Sequence, residues 1–199
     1  MFKTMENRNA YGMVLCLIVL IGLAGCASSP SSVSDKLDQY TGATVTYVDV
    51  PLVFYRDNPS QAAYARNFMH AGPIQVNRSG TYRYYLWISS WSTMQVTDVS
   101  SVRDGLESIV VFADGEPLLL ELSGWAPDAI GVSEPVYLSP AASAADAYYQ
   151  VTVDQIRLIA ESSDIRLRTA GPTPREFELW DDQNAAKQSL AEFLRQVQY

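Results

Sequence analysis

Thr81-Tyr82-Arg83-Tyr84-Tyr85-Leu86-Trp87-Ile88-Ser89-Ser90-Trp91 decides the fold class. At a period of two, Tyr82, Tyr84, Leu86 and Ile88 share one face, and Arg83, Tyr85, Trp87, Ser89 and Trp91 share the other. Aromatic and β-branched residues suit a pleated strand. Both faces carry bulky side chains, so the strand is expected to be covered on both sides. Asn77-Arg78-Ser79-Gly80, just upstream, reads as a turn, and Ile74-Gln75-Val76 before it is strand-like. A hairpin is expected downstream, where Ile109 to Phe112 and Pro117 to Leu122 flank Ala113-Asp114-Gly115-Glu116. Asp-Gly there favours a tight turn.

The same alternation marks more strands at Ala43 to Val50, Leu52 to Tyr55, Tyr148 to Val153, Ile165 to Thr169 and Phe177 to Trp180. Pro51 interrupts the first pair. Gln61 to Met69 fits either a strand or a short helical turn. Gly124 to Ala145 is rich in Gly, Pro, Ser and Ala and reads as a long loop, with room for one strand at Val136-Tyr137-Leu138. Two helices are expected. Asp154 would cap a short one whose face carries Ile156, Ile159 and Ala160. Asp181 or Asp182 would cap a C-terminal one with an apolar stripe of Ala186, Leu190, Phe193, Leu194 and Val197. That stripe needs a partner, and the spare face of the Thr81–Trp91 sheet is the natural place. No β-α-β alternation is present. The expected fold is mainly β: an antiparallel β-sandwich or rolled sheet, with a short helix near 154–161 and a C-terminal amphipathic helix.

The chain begins differently. Lys3 and Arg8 precede the apolar run Val14 to Ile21, and the small residues Gly22 to Gly25 close it. These are the parts of an export signal. From Met13 to Gly25 the apolar stretch is shorter than the ~20 residues of a membrane span. Leu23-Ala24-Gly25-Cys26 at its end resembles the lipobox of bacterial lipoproteins, matching all four positions. The resemblance implies that cleavage falls between Gly25 and Cys26, and that Cys26 carries diacylglycerol on its thiol and an acyl group on its new amino terminus. Several chains anchor a protein stably where one does not. Under the enteric-type sorting rule that goes with this family, Ala27, in place of Asp, implies the outer membrane rather than the inner one. The expected layout is a lipoprotein signal peptide at 1–25, a lipidated flexible tether at 26–41 and one β-rich domain at 42–199. Ala27 to Lys36, small and polar, is the linker of that tether.

The full chain carries 14 basic and 22 acidic residues, a net of −8. Removing 1–25 takes Lys3, Arg8 and Glu6 and leaves 12 against 21, a net of −9. That balance argues against nucleic acid, which needs basic patches. Cys16 leaves with the signal and Cys26 is the lipid site, so no disulfide is expected in the mature domain. One histidine, His70, excludes His-rich metal sites. No phosphate-cradling loop or dinucleotide fingerprint occurs, and no cofactor or metal is expected.

Three constellations can carry chemistry. Arg83, Tyr85, Trp87 and Trp91 form an aromatic face with a guanidinium, suited to stacking a sugar or peptide, unless it packs under the C-terminal helix. His70 is the only base available to a Ser-His-Asp triad, and the chain has no Gly-x-Ser-x-Gly elbow. Glu176 with Glu178, or Asp181 with Asp182, pairs carboxylates for acid–base work, although solvated charge explains them as well. Asp98, Asp104 and Glu107 lack the spacing of a calcium loop. The expectation is therefore a lipid-anchored cell-envelope protein with a non-catalytic binding or assembly role, facing the periplasm from the outer membrane. Its partners are the membrane, through Cys26, and another envelope protein or glycan. The alternative is an envelope enzyme using carboxylates, directed at glycan.

Overall fold

The computed structural model describes residues 32–94, 100–181 and 183–197. The expected signal peptide, Gly25 and Cys26, and Asp98 and Asp182 lie outside them. In chain order the strands are β1 (Val33–Leu37), β2 (Thr44–Val48), β3 (Leu52–Asp57), β4 (Arg66–Arg78), β5 (Thr81–Ser92), β6 (Ser108–Ala113), β7 (Glu116–Gly124), β8 (Ala145–Val151), β9 (Ile165–Thr169) and β10 (Glu176–Leu179). Among the described residues three α-helices accompany them, α1 (Ser100–Arg103), α2 (Val153–Glu161) and α3 (Asn184–Val197), with a 3-10 turn at Pro127–Ile130. All the pairings are antiparallel.

Strands β4 and β5 form the long hairpin at the centre, joined by the turn at Ser79 and Gly80. Both turn residues have positive φ, 51° and 84°, as a two-residue turn matching strand twist requires. Asp114 and Gly115, at 49° and 87°, repeat this between β6 and β7. β5 pairs with β8 on its other edge, so the sheet runs β4-β3-β10-β9-β6-β7-β8-β5 and returns to β4. The result is a closed eight-stranded antiparallel barrel rather than a sandwich. Closure leaves the barrel no free edge.

Strand β4 takes in the later part of the ambiguous Gln61–Met69 stretch together with the strand-like Ile74 to Val76. It is one strand of 13 residues that runs through Gly72-Pro73. On one edge it pairs with β5 throughout; on the other it pairs with β3 as far as Ala71 and with β2 from Ile74 onward. Pro73, which has no N–H, falls in the gap between those two partners. The β1–β2 ribbon extends from this point. Strand β1 therefore occupies part of the expected tether: Val33 to Leu37 pairs with Val48 to Thr44. Its polar sequence gives little signal of its own, and β2 supplies the hydrogen bonds. Asp38, just after β1, accepts hydrogen bonds from Ser133 N at 2.5 Å, Ser133 Oγ at 2.7 Å and Tyr40 N at 3.0 Å. Those donors hold its carboxyl well below the usual carboxylate range.

Inward positions are apolar: Phe54, Met69, Ile88, Val111, Leu167 and Phe177 are all buried. Thr152, not Asp154, caps α2, with Gln155 completing a capping box, and Asp154 falls within the first turn. Helix α3 begins at Asn184, a turn's fraction after the expected Asp181 or Asp182. Its stripe of Ala186, Leu190, Phe193, Leu194 and Val197 is buried as expected. It lies against the inward face of the barrel, however, not on the Arg83–Trp91 face. Leu190 lines one small cavity together with Leu52, Leu86 and Leu167 of the barrel and Ile156 and Ile159 of α2. The two helices follow the ends of β8 and β10, so they close the same end of the barrel. The space left among these side chains is about 10 Å³, at most room for one water.

Candidate functional site

Alternation on the barrel wall decides what reaches solvent. With Trp87 outward on β5, Leu86 and Ile88 point inward. Cross-strand register then places Phe68, His70 and Gly72 outward, opposite Trp91, Ser89 and Trp87. On the other edge of β5, Asp146 and Tyr148 face outward opposite Ser89 and Trp87.

The expected aromatic face is thereby split in three. Arg83 is exposed at one end of β5, in a shallow groove of about 210 Å³ with Arg78 and Gly131. Tyr85 and Trp87, in the middle, are buried. Their cover comes from the segment after β7, not from α3. Tyr137 stacks on Trp87 with centroids 4.4 Å apart and planes 17° apart, meets Tyr47 edge-on at 5.4 Å, and donates its hydroxyl to Pro73 O at 3.0 Å. Val136 to Leu138 is thus no strand; it is an irregular stretch around one buried tyrosine. Burial pushes that phenol well above its ordinary value.

Trp91, at the other end, joins residues that sequence spacing does not associate. Phe68 stacks on it at 4.7 Å and 17°. Trp180, just past β10, meets Phe68 edge-on at 5.4 Å and Tyr55 of β3 at 5.1 Å. The Arg66 guanidinium lies 5.0 Å from the Trp180 ring and 5.9 Å from the Tyr55 ring, and its Nε donates to Asp57 at 2.9 Å. His70 lies beside Trp91 at 6.3 Å. All six are half-buried. The outer wall thus carries a row of aromatic rings across four neighbouring strands. Tyr55 falls in an expected strand and Phe68 in the stretch left open between strand and helical turn, and the adjacency of both to Trp180 depends on barrel closure.

Register also brings His70, Ser89 and Asp146 into one cross-strand row. These are the residue types of a hydrolytic triad, but the serine stands between the other two. Ser89 is fully buried, and its hydroxyl has no hydrogen-bond partner. A nucleophile must touch both its base and the substrate, so this row does not work as one. The N–H groups of Trp87 and Trp91 and one carboxylate oxygen of Asp146 are likewise buried without partners. Four orphaned polar atoms therefore lie on this one face. Burial holds the His70 imidazole below its ordinary value.

The carboxylate pairs are elsewhere. Glu176 is ion-paired to Arg166 at 2.9 Å. Glu178 and Asp181 line an open groove of about 610 Å³ with Asp164, Arg166 and Lys187. Lys187 Nζ donates to Ser162 O and Ser163 O at 3.3 Å each. No aromatic ring lines this groove, so the carboxylates and the aromatic wall are not brought together. Asp104 offers its backbone oxygen to Arg175, and Glu107 offers its own to Leu122 N. Among the described residues no three His, Cys, Asp or Glu side chains group as a metal site, and no helix is long and apolar enough to cross a membrane.

Compared with family models, curated proteins and solved structures, the chain finds no match in any of the three.

Proposed function

We propose that this protein is a non-catalytic binding or assembly component of the cell envelope, anchored by lipid at Cys26 in the outer membrane and facing the periplasm. The observation that carries the binding role is the outward row Trp180, Tyr55, Phe68 and Trp91 beside Arg66. Aromatic residues and arginine are the types enriched in protein interface cores. A protein partner suits the row better than a sugar does. Sugars stack on free ring faces, whereas Phe68 and Trp91 turn faces toward one another and Trp180 lies under Arg66. The outward positions of β9 and β10 are charged, with Arg166, Arg168, Glu176 and Glu178. That alternation is the reverse of a lipid-facing barrel and favours water around the wall.

The alternative, an envelope enzyme, is favoured by one observation: the open groove that gathers Asp164, Glu178 and Asp181. Glu178 and Asp181 are exposed there, whereas a carboxyl that must hold a proton as general acid needs desolvation.

A photo-cross-linking residue at Tyr55, compared with one at the exposed Leu119 on the far wall, tests the binding role in cells. One envelope protein captured at Tyr55, absent at Leu119 and lost on Trp180→Ala is expected. Equal capture at both positions, or capture of glycan alone, would refute the proposal.

A further inference from the structure

Parity along the strands carries information beyond the wall. The inward face that holds Phe54, Met69 and Ile88 continues toward the end of the barrel opposite α2 and α3, and there it turns polar. Arg56 follows Phe54 by two residues, Asn67 precedes Met69 by two, Ser90 and Ser92 continue from Ile88, and Arg175 precedes Phe177 by two. With Asn58 they line a pocket of about 140 Å³, several times the ~30 Å³ share of one water. No carboxylate lines it among the described residues.

Among the described residues neither of its two arginines, Arg56 and Arg175, is ion-paired to a carboxylate. Arg175 is fixed at its backbone, whose N–H donates to Thr169 Oγ1 at 3.0 Å, and at its tip, which donates to Asp104 O. Its Nε is nonetheless buried without a partner. Burial makes its charge costly; the nearby Asp104 carboxylate eases that cost, and the like charge of Arg56 adds to it. The fold therefore places two cationic residues in the lining of one small cavity, one of them with a buried donor that has no partner.

We propose that this mouth of the barrel binds a small oxyanion, phosphate or carboxylate, between Arg56 and Arg175. An oxyanion offers only acceptors, matching the guanidinium forks, which offer only donors. Asn58, Asn67 and the two serines supply hydrogen bonds to its remaining oxygens. The site adjoins the aromatic wall at Trp91, which also borders the pocket, while its two arginines continue the inward face at the barrel's end.

The full-length protein in detergent is titrated with inorganic phosphate and, separately, with acetate, against chloride at matched ionic strength, reading the unfolding temperature. A ligand that binds only the folded state raises it with concentration. The wild type is expected to respond to one of the two oxyanions, and the response identifies the group. Arg56→Gln is expected to need roughly tenfold or more of that anion for the same shift, since it loses charge-assisted hydrogen bonds. In chloride alone the variant is expected to be at least as stable as the wild type, because like-charge repulsion is relieved. This control separates lost binding from lost folding. Equal responses of wild type and Arg56→Gln would overturn the proposal.

Discussion

Gly72→Ala is the sharpest test of how the outer wall is covered. Gly72 faces outward on β4, opposite Trp87, directly beneath Tyr137. A Cβ placed there would lie 2.4 Å from Tyr137 Oη and 2.5 Å from Cζ, well inside van der Waals contact. Both the strand and the ring are held on other sides, so the tyrosine must leave. Its departure forfeits burial of the side chain, ~2 kcal/mol. It also loses the Trp87 and Tyr47 ring contacts, ~0.5–1.5 kcal/mol each, and the bond to Pro73 O, ~1 kcal/mol. One methyl group is thus expected to destabilise the domain by about 5 kcal/mol, lowering the unfolding temperature by roughly 10–20 °C for a domain of this size. Tyr137→Ala alone should cost about the same, since it removes the same contacts. The decisive measurement is the double variant in urea melts. With the ring gone, Gly72→Ala should add less than about 1 kcal/mol, so the two changes should be far from additive. If it costs as much in the Tyr137→Ala background as in the wild type, Tyr137 is not what fills the space above Gly72.

Three other changes have expected outcomes. Ser89→Ala removes a fully buried hydroxyl that has no partner and should stabilise the domain by about 1 kcal/mol; a drop in unfolding temperature would mean that water links Ser89 to Asp146. Burial lowers the folded-state pKa of His70 below its ordinary 6.5, so its contribution is present above that pH and lost as pH falls through the folded value. Thermal melts between about pH 7 and 5 should therefore show a stability loss that is smaller in His70→Gln; parallel curves would refute it. Cys26→Ala should release the protein from membranes, and its retention in a salt-washed membrane pellet would exclude lipid at Cys26 as the anchor.

Local chemistry made much of the β-structure legible. Asp114-Gly115 and Ser79-Gly80 announce their turns because left-handed backbone is open to so few residues. The α3 stripe is legible because Ala186, Leu190, Phe193 and Val197 repeat at helical spacing. Closure into a barrel was not legible. A sandwich strand and a barrel strand alternate identically, and what distinguishes them is that β5 pairs with both β4 and β8, the latter some 60 residues away in sequence. The faces of β5 misled for a related reason. Both carry aromatics, and residues alone do not say that Leu86 meets α3 while Trp87 meets Tyr137. Strand β1 went unread because Ser34, Asp35 and Lys36 have little strand preference, and its partner strand decides its conformation. The aromatic row was the least accessible feature, because Tyr55, Phe68, Trp91 and Trp180 come from four segments that only the closed sheet aligns.

An eight-stranded barrel is wide enough for side chains or for one small ligand, but not for both. Here α2 and α3 resolve that choice. Ile156, Ile159 and Leu190 fill the interior at one end until about 10 Å³ remains, and Tyr149 ties down the other by donating to Leu106 O at 2.6 Å. A ligand as large as a sugar ring has no place among those helix and barrel side chains. Recognition is therefore left to the wall and the mouth, and these differ in kind. The wall offers rings and one guanidinium for contact over an area, and the mouth offers two arginines lining one small cavity. If both sites work, they should be separable by mutation: Trp180→Ala should abolish capture of a partner while leaving the anion response intact, and Arg56→Gln should do the reverse. Loss of both by either change would mean that the two surfaces form a single site whose ligand spans the rim.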